Sequence, residues 1–298
     1  MRNIALVKLN GGLGNQMFQY ALGHIIAFKH DARILLDKRL FELKEKKPGH
    51  TPRDFELGVF GIDHPTALES DIHYFTRLTV LQKIKRELNL NYPKMLYEKD
   101  FSFDNKIINA IPPVYLHGFF QSYKYFEGYE EDIRKAFKFP EIRLEGKNKE
   151  LMGRIKLKPS ASVHIRRGDY VADKITNKLH GNCSLNYYKQ AISEVTKFDD
   201  EVEFFFFSDD IKWVENEFEM LPVKKTFVDS NTGKNSWKDM LLMSYCNYNI
   251  IANSSFSWWA AWLNNNPLKK VIAPKRWFND PDKEMYTFDL IPEEWIRI

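Results

Sequence analysis

Apolar positions along this chain follow two rhythms, and the change from one to the other marks the elements. The run Asn3 to Leu9, "NIALVKL", is short, apolar and bounded by the turn "NGGLGN", which predicts a buried strand. Beyond the turn, Met17, Phe18, Ala21, Leu22, Ile25 and Ile26 recur at helical spacing, so a helix is expected from about Asn15, with Asn15 as its N-cap. "ARILLD" follows at once, and strand, helix, strand is the signature of a parallel sheet. From about Leu40 to Ala110 the pattern weakens: "ELKEKKPGHTP" reads as a charged loop and "YFTRLTVLQKIKREL" as helix. "VYLHGFFQS" follows, and then "YKYFEGYEEDIRKAFKF" reads as one amphipathic helix. The Lys-rich stretch "PEIRLEGKNKELMGRIKLKPS" reads as a polar linker and puts a boundary between Glu141 and Pro159; the expected domains are 1–150 and 151–298.

The second half alternates regularly. "ASVHI", "VEFFFFS", "KKTFVD", "YNIIAN" and "KKVIAP" read as strands, separated by the helices "SLNYYKQAISEVTKF", "DIKWVENEF", "SWKDMLLMSYC" and "SSFSWWAAWLN". That is the pattern of a doubly wound α/β sheet, which binds ligands at the carboxyl ends of its strands. The candidate chemistry therefore lies at Arg166 and Arg167, at Ser208 to Asp210, at Asp229, and from Asn253 to Ser257.

Composition narrows the classes. At 298 residues the chain exceeds one comfortable core, which favours two domains of about 150 residues. Hydrophobic residues at 44% and aromatics at 15% exclude a disordered chain. The 44 Lys and Arg against 40 Asp and Glu leave only +4, spread along the chain, so no nucleic-acid partner is expected. No run reaches the roughly 18 apolar residues of a membrane helix, no signal peptide is evident, and Cys183 and Cys246 form no disulfide framework. A reduced, cytoplasmic protein is expected.

The strand ends suggest anion chemistry. Arginine presents a planar, permanently charged fork that matches phosphate oxygens. Arg166 and Arg167 leave one strand in succession, so one is expected to face a ligand and the other to hold the loop, with Asp169 as its ion-pair partner; alone, an Arg-Gly-Asp turn would be structural. Ser254, Ser255 and Ser257 open a helix, whose free N–H groups and dipole suit a diphosphate. Capping explains one of these serines, but not the aromatic wall of Phe256, Trp258 and Trp259; Trp259 and Trp262 also read as core. Asp209 or Asp210 suits the donor edge of guanine or ribose hydroxyls, and Ser208 or Asp209 equally suits a helix cap. Ser236 and Asp239 have capping-box spacing. Metal signals are thin: Asp280-Pro281-Asp282 reads as a turn, and the histidines show no paired ligand spacing. Gly12 and Gly14 are followed by Met17 where a dinucleotide fingerprint wants glycine, so the loop of Gly11, Gly12 and Gly14 serves close backbone approach or positive φ angles.

"GGLGNQMFQYA", "HIRRGDYV", "FFFSDD" and "NSSFSWWAAWL", with "GFFQSYKYF" (118–126), resemble in order and spacing the motifs of the α-1,2-fucosyltransferases of glycosyltransferase family 11, over nearly the whole chain. The resemblance implies a GT-B-like α/β fold of two Rossmann-like domains facing across a cleft: residues 1–150 on the acceptor side and 151–298 binding GDP-fucose. It implies transfer of fucose from GDP-β-L-fucose to the 2-hydroxyl of a terminal β-galactoside, in a glycan or surface polysaccharide, with inversion and with no metal or other cofactor. It sets His164 and Arg166 at the donor diphosphate and Arg167 and Asp169 in the same motif, with Asp169 a catalytic candidate. Ser254, Ser255 and Phe256 belong near the diphosphate or guanine, joined by Ser208, Asp209 and Asn253, while Gly12, Gly14 and Asn15 line the cleft. Asp169, Asp173, His24 and His164 are the candidate bases. The anchor and stem of animal members are lacking, which suits a bacterial-type enzyme in the cytoplasm, with peripheral association at the inner membrane face where lipid-linked glycans lie. Two alternatives stay open: the same architecture with another linkage or sugar nucleotide, and a non-catalytic nucleotide- or glycan-binding protein.

Overall fold

The computed structural model describes residues 2–43, 52–140, 144–168 and 174–298. They form two compact units, the first from residues 2–43, 52–138 and 286–290, the second from the rest. The break falls after Lys138, earlier than expected. The stretch read as a linker contains a helix, Gly146–Leu157, that buries Leu151 and Ile155 within the second unit. Residues 286–290 return to the first unit because Asp289, buried there, pairs with Lys124 at 2.5 Å and accepts the Phe103 N–H at 3.0 Å. The charged loop expected at 42–52 lies largely outside the described residues.

In the first unit the elements are β1 (Ile4–Lys8), α1 (Leu13–His30), β2 (Arg33–Asp37), α2 (Glu69–Thr76), α3 (Val80–Glu87), β3 (Lys94–Tyr97), α4 (Asn105–Ile108), β4 (Val114–His117) and α5 (Glu130–Ala136). The sheet runs β2-β1-β4-β3 with every pair parallel. β1 is apolar on both faces because it lies inside the sheet with both faces covered. α1 lies close over it at Gly23, where a Cβ would collide with Val7. α1 begins two residues before the expected cap: Gly12 is its N-cap, with no side-chain bond, and Asn15 lies inside the first turn. The helix expected over 123–139 divides into a 3-10 turn, Tyr123–Phe126, and α5, because Gly128 takes a left-handed φ of 80° between them.

The second unit contains α6 (Gly146–Leu157), β5 (Ser160–Ile165), α7 (Lys174–His180), α8 (Leu185–Phe198), β6 (Glu203–Ser208), α9 (Ile211–Phe218), β7 (Lys225–Val228), α10 (Trp237–Met243), β8 (Tyr248–Ile250), α11 (Ser255–Leu263), β9 (Lys270–Ala273), α12 (Pro281–Glu284) and β10 (Ile296–Arg297). The sheet order is β10-β9-β8-β5-β6-β7, all parallel. Counted from its own first strand, that is the doubly wound order of dinucleotide-binding sheets. The five expected strands and four expected helices are present, with β10 added at the edge. Both units are thus Rossmann-like, as a GT-B-like chain requires.

The two faces of the second sheet differ. Ala161, Val163, Ile165, Phe204 and Phe206 pack against Tyr188, Ala191, Val195 and Val214 in an apolar core. On the other face Asn249 donates to Ser162 Oγ at 2.8 Å and accepts from the Asn264 amide at 2.8 Å, so these buried polar groups satisfy one another. The capping box expected at Ser236 and Asp239 does not form. Asp239 is buried instead, accepting from the Asn231 amide at 2.7 Å, and burial pushes its carboxyl up to about 7.

A buried acid of this kind binds a proton in the folded state that the unfolded chain has already released between 3.8 and about 7. Folding stability therefore falls as pH rises through that window. Replacing the group by an uncharged isostere, Asp239→Asn, removes the slope, so the stability of the variant relative to wild type should rise between pH 4 and pH 8, by on the order of 1 kcal/mol for each pH unit crossed within that window. Urea unfolding at a series of pH values measures this; a pH-independent difference would show that Asp239 titrates normally.

Candidate functional site

In the second sheet the strand order reverses at β5, which lies between β8 and β6. Such a switch point opens a crevice beyond the carboxyl ends of the two strands that flank it, here β5 and β8. The residues leaving β5 are Arg166, Arg167 and Gly168, and those leaving β8 run through Asn253 to α11. The sheet therefore brings together two of the segments that stand far apart in sequence.

Arg166 pairs through Nη1 with Asp209 Oδ2 at 2.8 Å. The same carboxylate accepts the backbone N–H of Arg167 at 2.9 Å. Asp209 lies so close under this turn that a Cβ on Gly168 would come within 2.5 Å of Oδ2, which explains the glycine. Arg167 turns the other way: its Nε reaches Asp210 Oδ2 at 3.2 Å, and its guanidinium lies 3.6 Å from the centre of the Trp213 ring. The two side chains diverge, Arg167 held on α9 and Arg166 paired with Asp209 at the end of β5. Among the described residues the ion-pair partner of Arg167 is Asp210, 43 residues away. Asp169 and Asp173 lie outside the described residues.

His164, near the end of β5, is buried, and its ring centre lies 5.6 Å from that of Phe256. Burial holds its pKa well below the usual imidazole range and Arg166 adds to this, against the pull of Asp209. The ring is neutral near pH 7, and its Nδ1 meets no hydrogen-bond partner among the described residues. A neutral imidazole there can give or take one hydrogen bond at the crevice wall. His24, the other histidine named as a base, sits mid-helix in α1, stacked on Tyr20 at 5.6 Å.

After β8 the expected ligand residues separate by role. Ser254 caps α11, its Oγ accepting the Phe256 N–H at 3.4 Å. Ser257 is wholly buried, with its Oγ accepting the Ala252 N–H at 3.2 Å. Ser255 is the first residue of α11 and half-buried. Asn253, expected to bind the donor, faces inward: its amide donates to the carbonyls of His180, Gly181 and Trp277 at 2.9, 3.2 and 3.0 Å and ties three loops together. Trp258 and Trp259 are core with Trp262, so the expected aromatic wall reduces to Phe256. Ser208 Oγ accepts the Asp210 N–H at 3.0 Å, and Asp210 caps α9. Asp229 pairs with Lys147 at the surface, and Asp280 caps α12.

The first sheet has a switch point of its own, between β1 and β4. There the glycine turn after β1 meets the turn 118–122 after β4. Gln19 accepts the Asn10 N–H at 2.9 Å and donates to Gly118 O at 3.0 Å. Gln121 donates to Asn15 Oδ1 at 2.9 Å. Gln16 donates to Gly11 O at 2.9 Å and Asp54 O at 2.8 Å and accepts from the Glu56 N–H. The positive φ belongs to Gly11, at 78°; Gly12 is extended, and Gly14 lies inside α1. These three glutamines were not among the expected site residues. Two sit at fully buried helix positions, where an amide must find partners, and that was a legible signal. Nothing near Trp213 in the sequence points to Arg167.

Comparison with known proteins gives a consistent result. The sequence model of Glycosyl transferase family 11 matches residues 70–298. An alpha-1,2-colitosyltransferase of Escherichia coli is 36% identical over 99% of this chain and 99% of its own length. The O-antigen biosynthesis glycosyltransferase WbnK of Escherichia coli is 32% identical over 97% of this chain and 99% of its own. A human galactoside alpha-(1,2)-fucosyltransferase 1 is 26% identical over 51% of this chain and 43% of its own.

The geometry makes Gly168 a sensitive position. In Gly168→Ala the new methyl displaces the Asp209 carboxylate and with it the anchor of Arg166, so a diphosphate probe at this strand end should bind at least about tenfold more weakly, as for loss of one charge-assisted contact. Fluorescence titration with GDP, alongside a melting curve showing the fold intact, checks this. Unchanged affinity would mean that Asp209 does not set the position of Arg166.

Proposed function

The chain belongs to glycosyl transferase family 11 and is a glycosyltransferase, and we propose that it moves L-fucose from GDP-β-L-fucose to the 2-hydroxyl of a terminal β-galactoside, with inversion. The observation that carries this reading is the convergence, at one switch point, of Arg166 on its Asp209 anchor with the opening turn of α11. Both supply what a departing diphosphate needs.

In a single displacement the acceptor oxygen attacks the anomeric carbon as GDP leaves from the opposite face. The sugar passes through an oxocarbenium-like state, and negative charge grows on the β-phosphate. Arg166 meets that charge with a guanidinium whose orientation Asp209 has set in advance, so little reorganisation is needed as the bond breaks. The first N–H groups of α11 add the positive end of a helix dipole beside it. His164, neutral, offers one further hydrogen bond. With charge neutralised by these groups, the reaction proceeds without a metal. Phe256 and Ser255 face the nucleotide in this reading, and the first unit binds the acceptor. His164 remains a candidate proton acceptor alongside Asp169 and Asp173, and its depressed basicity suits a mechanism in which leaving-group departure runs ahead of attack.

The relatives bear on the donor and acceptor. One is named for colitosyl transfer and another for galactoside fucosyl transfer, both with an alpha-1,2 linkage, while a third is named for O-antigen biosynthesis. A surface-polysaccharide repeat ending in galactose is accordingly the proposed acceptor, met at the cytoplasmic face of the membrane. Among the described residues no helix is long and apolar enough to cross a membrane. A second reading, favoured by the 36% identity to the colitosyltransferase over nearly both full lengths, keeps the displacement and replaces the fucosyl by a colitosyl donor.

The test is GDP release from GDP-fucose with lactose as acceptor, in EDTA, for wild type and Arg166→Ala. Release should require the acceptor, survive EDTA and fall by about 10² or more in the variant. Turnover only with added metal would overturn the charge-neutralisation mechanism. Turnover with a colitosyl donor and not with GDP-fucose would replace the first reading by the second, and GDP binding with no turnover on any β-galactoside would overturn both.

A further inference from the structure

Glu98 follows β3 in the first unit and takes no part in the chemistry above. Its two carboxylate oxygens each accept a backbone N–H, from Phe119 and from Phe120, both at 2.6 Å. The turn they belong to is closed tightly on this carboxylate. Gly118 packs so near Glu98 that a Cβ would collide with its side chain, and Phe120 takes a left-handed φ of 56°, which a bulky residue adopts only when its surroundings impose it. The residue after Phe120 is Gln121, whose amide reaches Asn15, and the carbonyl of Gly118 receives Gln19, which in turn holds Asn10. One carboxylate therefore stands behind both loops at the β1–β4 switch point.

We propose that Glu98 is a positioning residue for the acceptor: its carboxylate sets the 118–121 turn and, through Gln121 and Asn15, the glycine turn after β1, and so shapes the crevice that receives the galactoside. This rests on the functional reading above, in which the first unit holds the acceptor. It adds a residue that binds no substrate itself and acts through a chain of hydrogen bonds.

The chemistry of the carboxylate makes the role testable by pH. Two amides can be gripped symmetrically only by an ionised group, since a protonated carboxyl keeps one good acceptor oxygen and turns the other into a donor. Burial pushes Glu98 up to about 7, opposed by the Phe119 and Phe120 amides and reinforced by Asp100. The other groups around it are Lys99, Asp104 and Tyr125, which line with it a cavity of about 190 Å³, and His117 on β4, whose carbonyl accepts the Glu98 N–H and whose ring burial keeps neutral.

The experiment measures both Michaelis constants from pH 5.5 to 8.5 for wild type, Glu98→Gln, Gln121→Ala and the double variant, together with amide hydrogen exchange of residues 10–16 in each. In wild type the acceptor KM should rise as pH falls through about 7, while the GDP-fucose KM stays flat. In Glu98→Gln the acceptor KM should be raised about tenfold at pH 8 and lose its pH dependence, with GDP affinity unchanged, and the effects of Glu98→Gln and Gln121→Ala should not add. The amides of residues 10–16 should lose protection in both single variants. Equal changes in both KM values, additive effects, or unaltered protection would overturn the proposal. If Glu98→Gln does not fold, Gln121→Ala alone must still show the selective rise in acceptor KM and the lost protection. Wild type that turns over no β-galactoside would defeat the functional reading instead, and exchange would then decide separately whether Glu98 holds the glycine turn.

Discussion

A carboxylate at the end of one strand grips the turn that leaves its neighbour: Asp209, after β6, takes the Arg166 guanidinium at 2.8 Å and the Arg167 backbone N–H at 2.9 Å. In a parallel sheet all strands end on the same edge, less than 5 Å apart, so residues just past paired strand ends become neighbours. The register Ile165 with Ser208 brings Arg166 and Asp209 into that position. A guanidinium only about a fifth exposed would be costly without a partner, and a lone carboxylate beneath a turn equally so. Together they fix each other, and the planar arginine fork is held in one orientation.

The two units solve the same mechanical problem with different chemistry. Each must hold polar loops at the carboxyl edge of a parallel sheet. The second does so with ions, Arg166 with Asp209 and Arg167 with Asp210, where the proposed ligand is an anion and a directed positive charge has a use. At its β1–β4 edge the first uses amides, Gln16 and Gln19 on loop backbones and Gln121 on the Asn15 side chain, while an ion pair, Asp37 with Arg39, stands at the end of β2. A neutral polyhydroxyl acceptor suits such a crevice, since each amide bond contributes about 1 kcal/mol and none must be desolvated as a charge. Glu98, a carboxylate at the same edge, grips backbone N–H groups instead of a side-chain ion, which leaves its own protonation exposed to burial.

Much of this was legible in the chain itself. The strands and helices from Ser160 to Ala273 stand where alternation and helical spacing put them, because buried parallel strands and the helices that cover them must be apolar in those rhythms. The clustering of candidate residues at strand ends followed from the sheet's geometry before any coordinate. The failures have physical causes too. α6 was read as a linker because a largely polar helix needs few buried positions, here Asn148, Leu151 and Ile155. β10 spans two residues, too few for any period to show. Gly128 divided an amphipathic run that continued on paper, since one left-handed residue outweighs the pattern on either side.

What the sequence by itself determined was which segments could be strands and helices, that two α/β units would form, and that arginines and a helix start would lie at the same edge of one sheet. It could do so because periodicity, turn residues and strand ends are properties of neighbouring residues. Partner choice was decided by the tertiary structure. Arg167 found Asp210 and Trp213, more than forty residues along the chain, Asn253 turned from the crevice to three carbonyls, and the serines after β8 divided between cap, core and helix start. Each of these depends on which strands lie side by side, and strand order is set by how the whole sheet buries its faces.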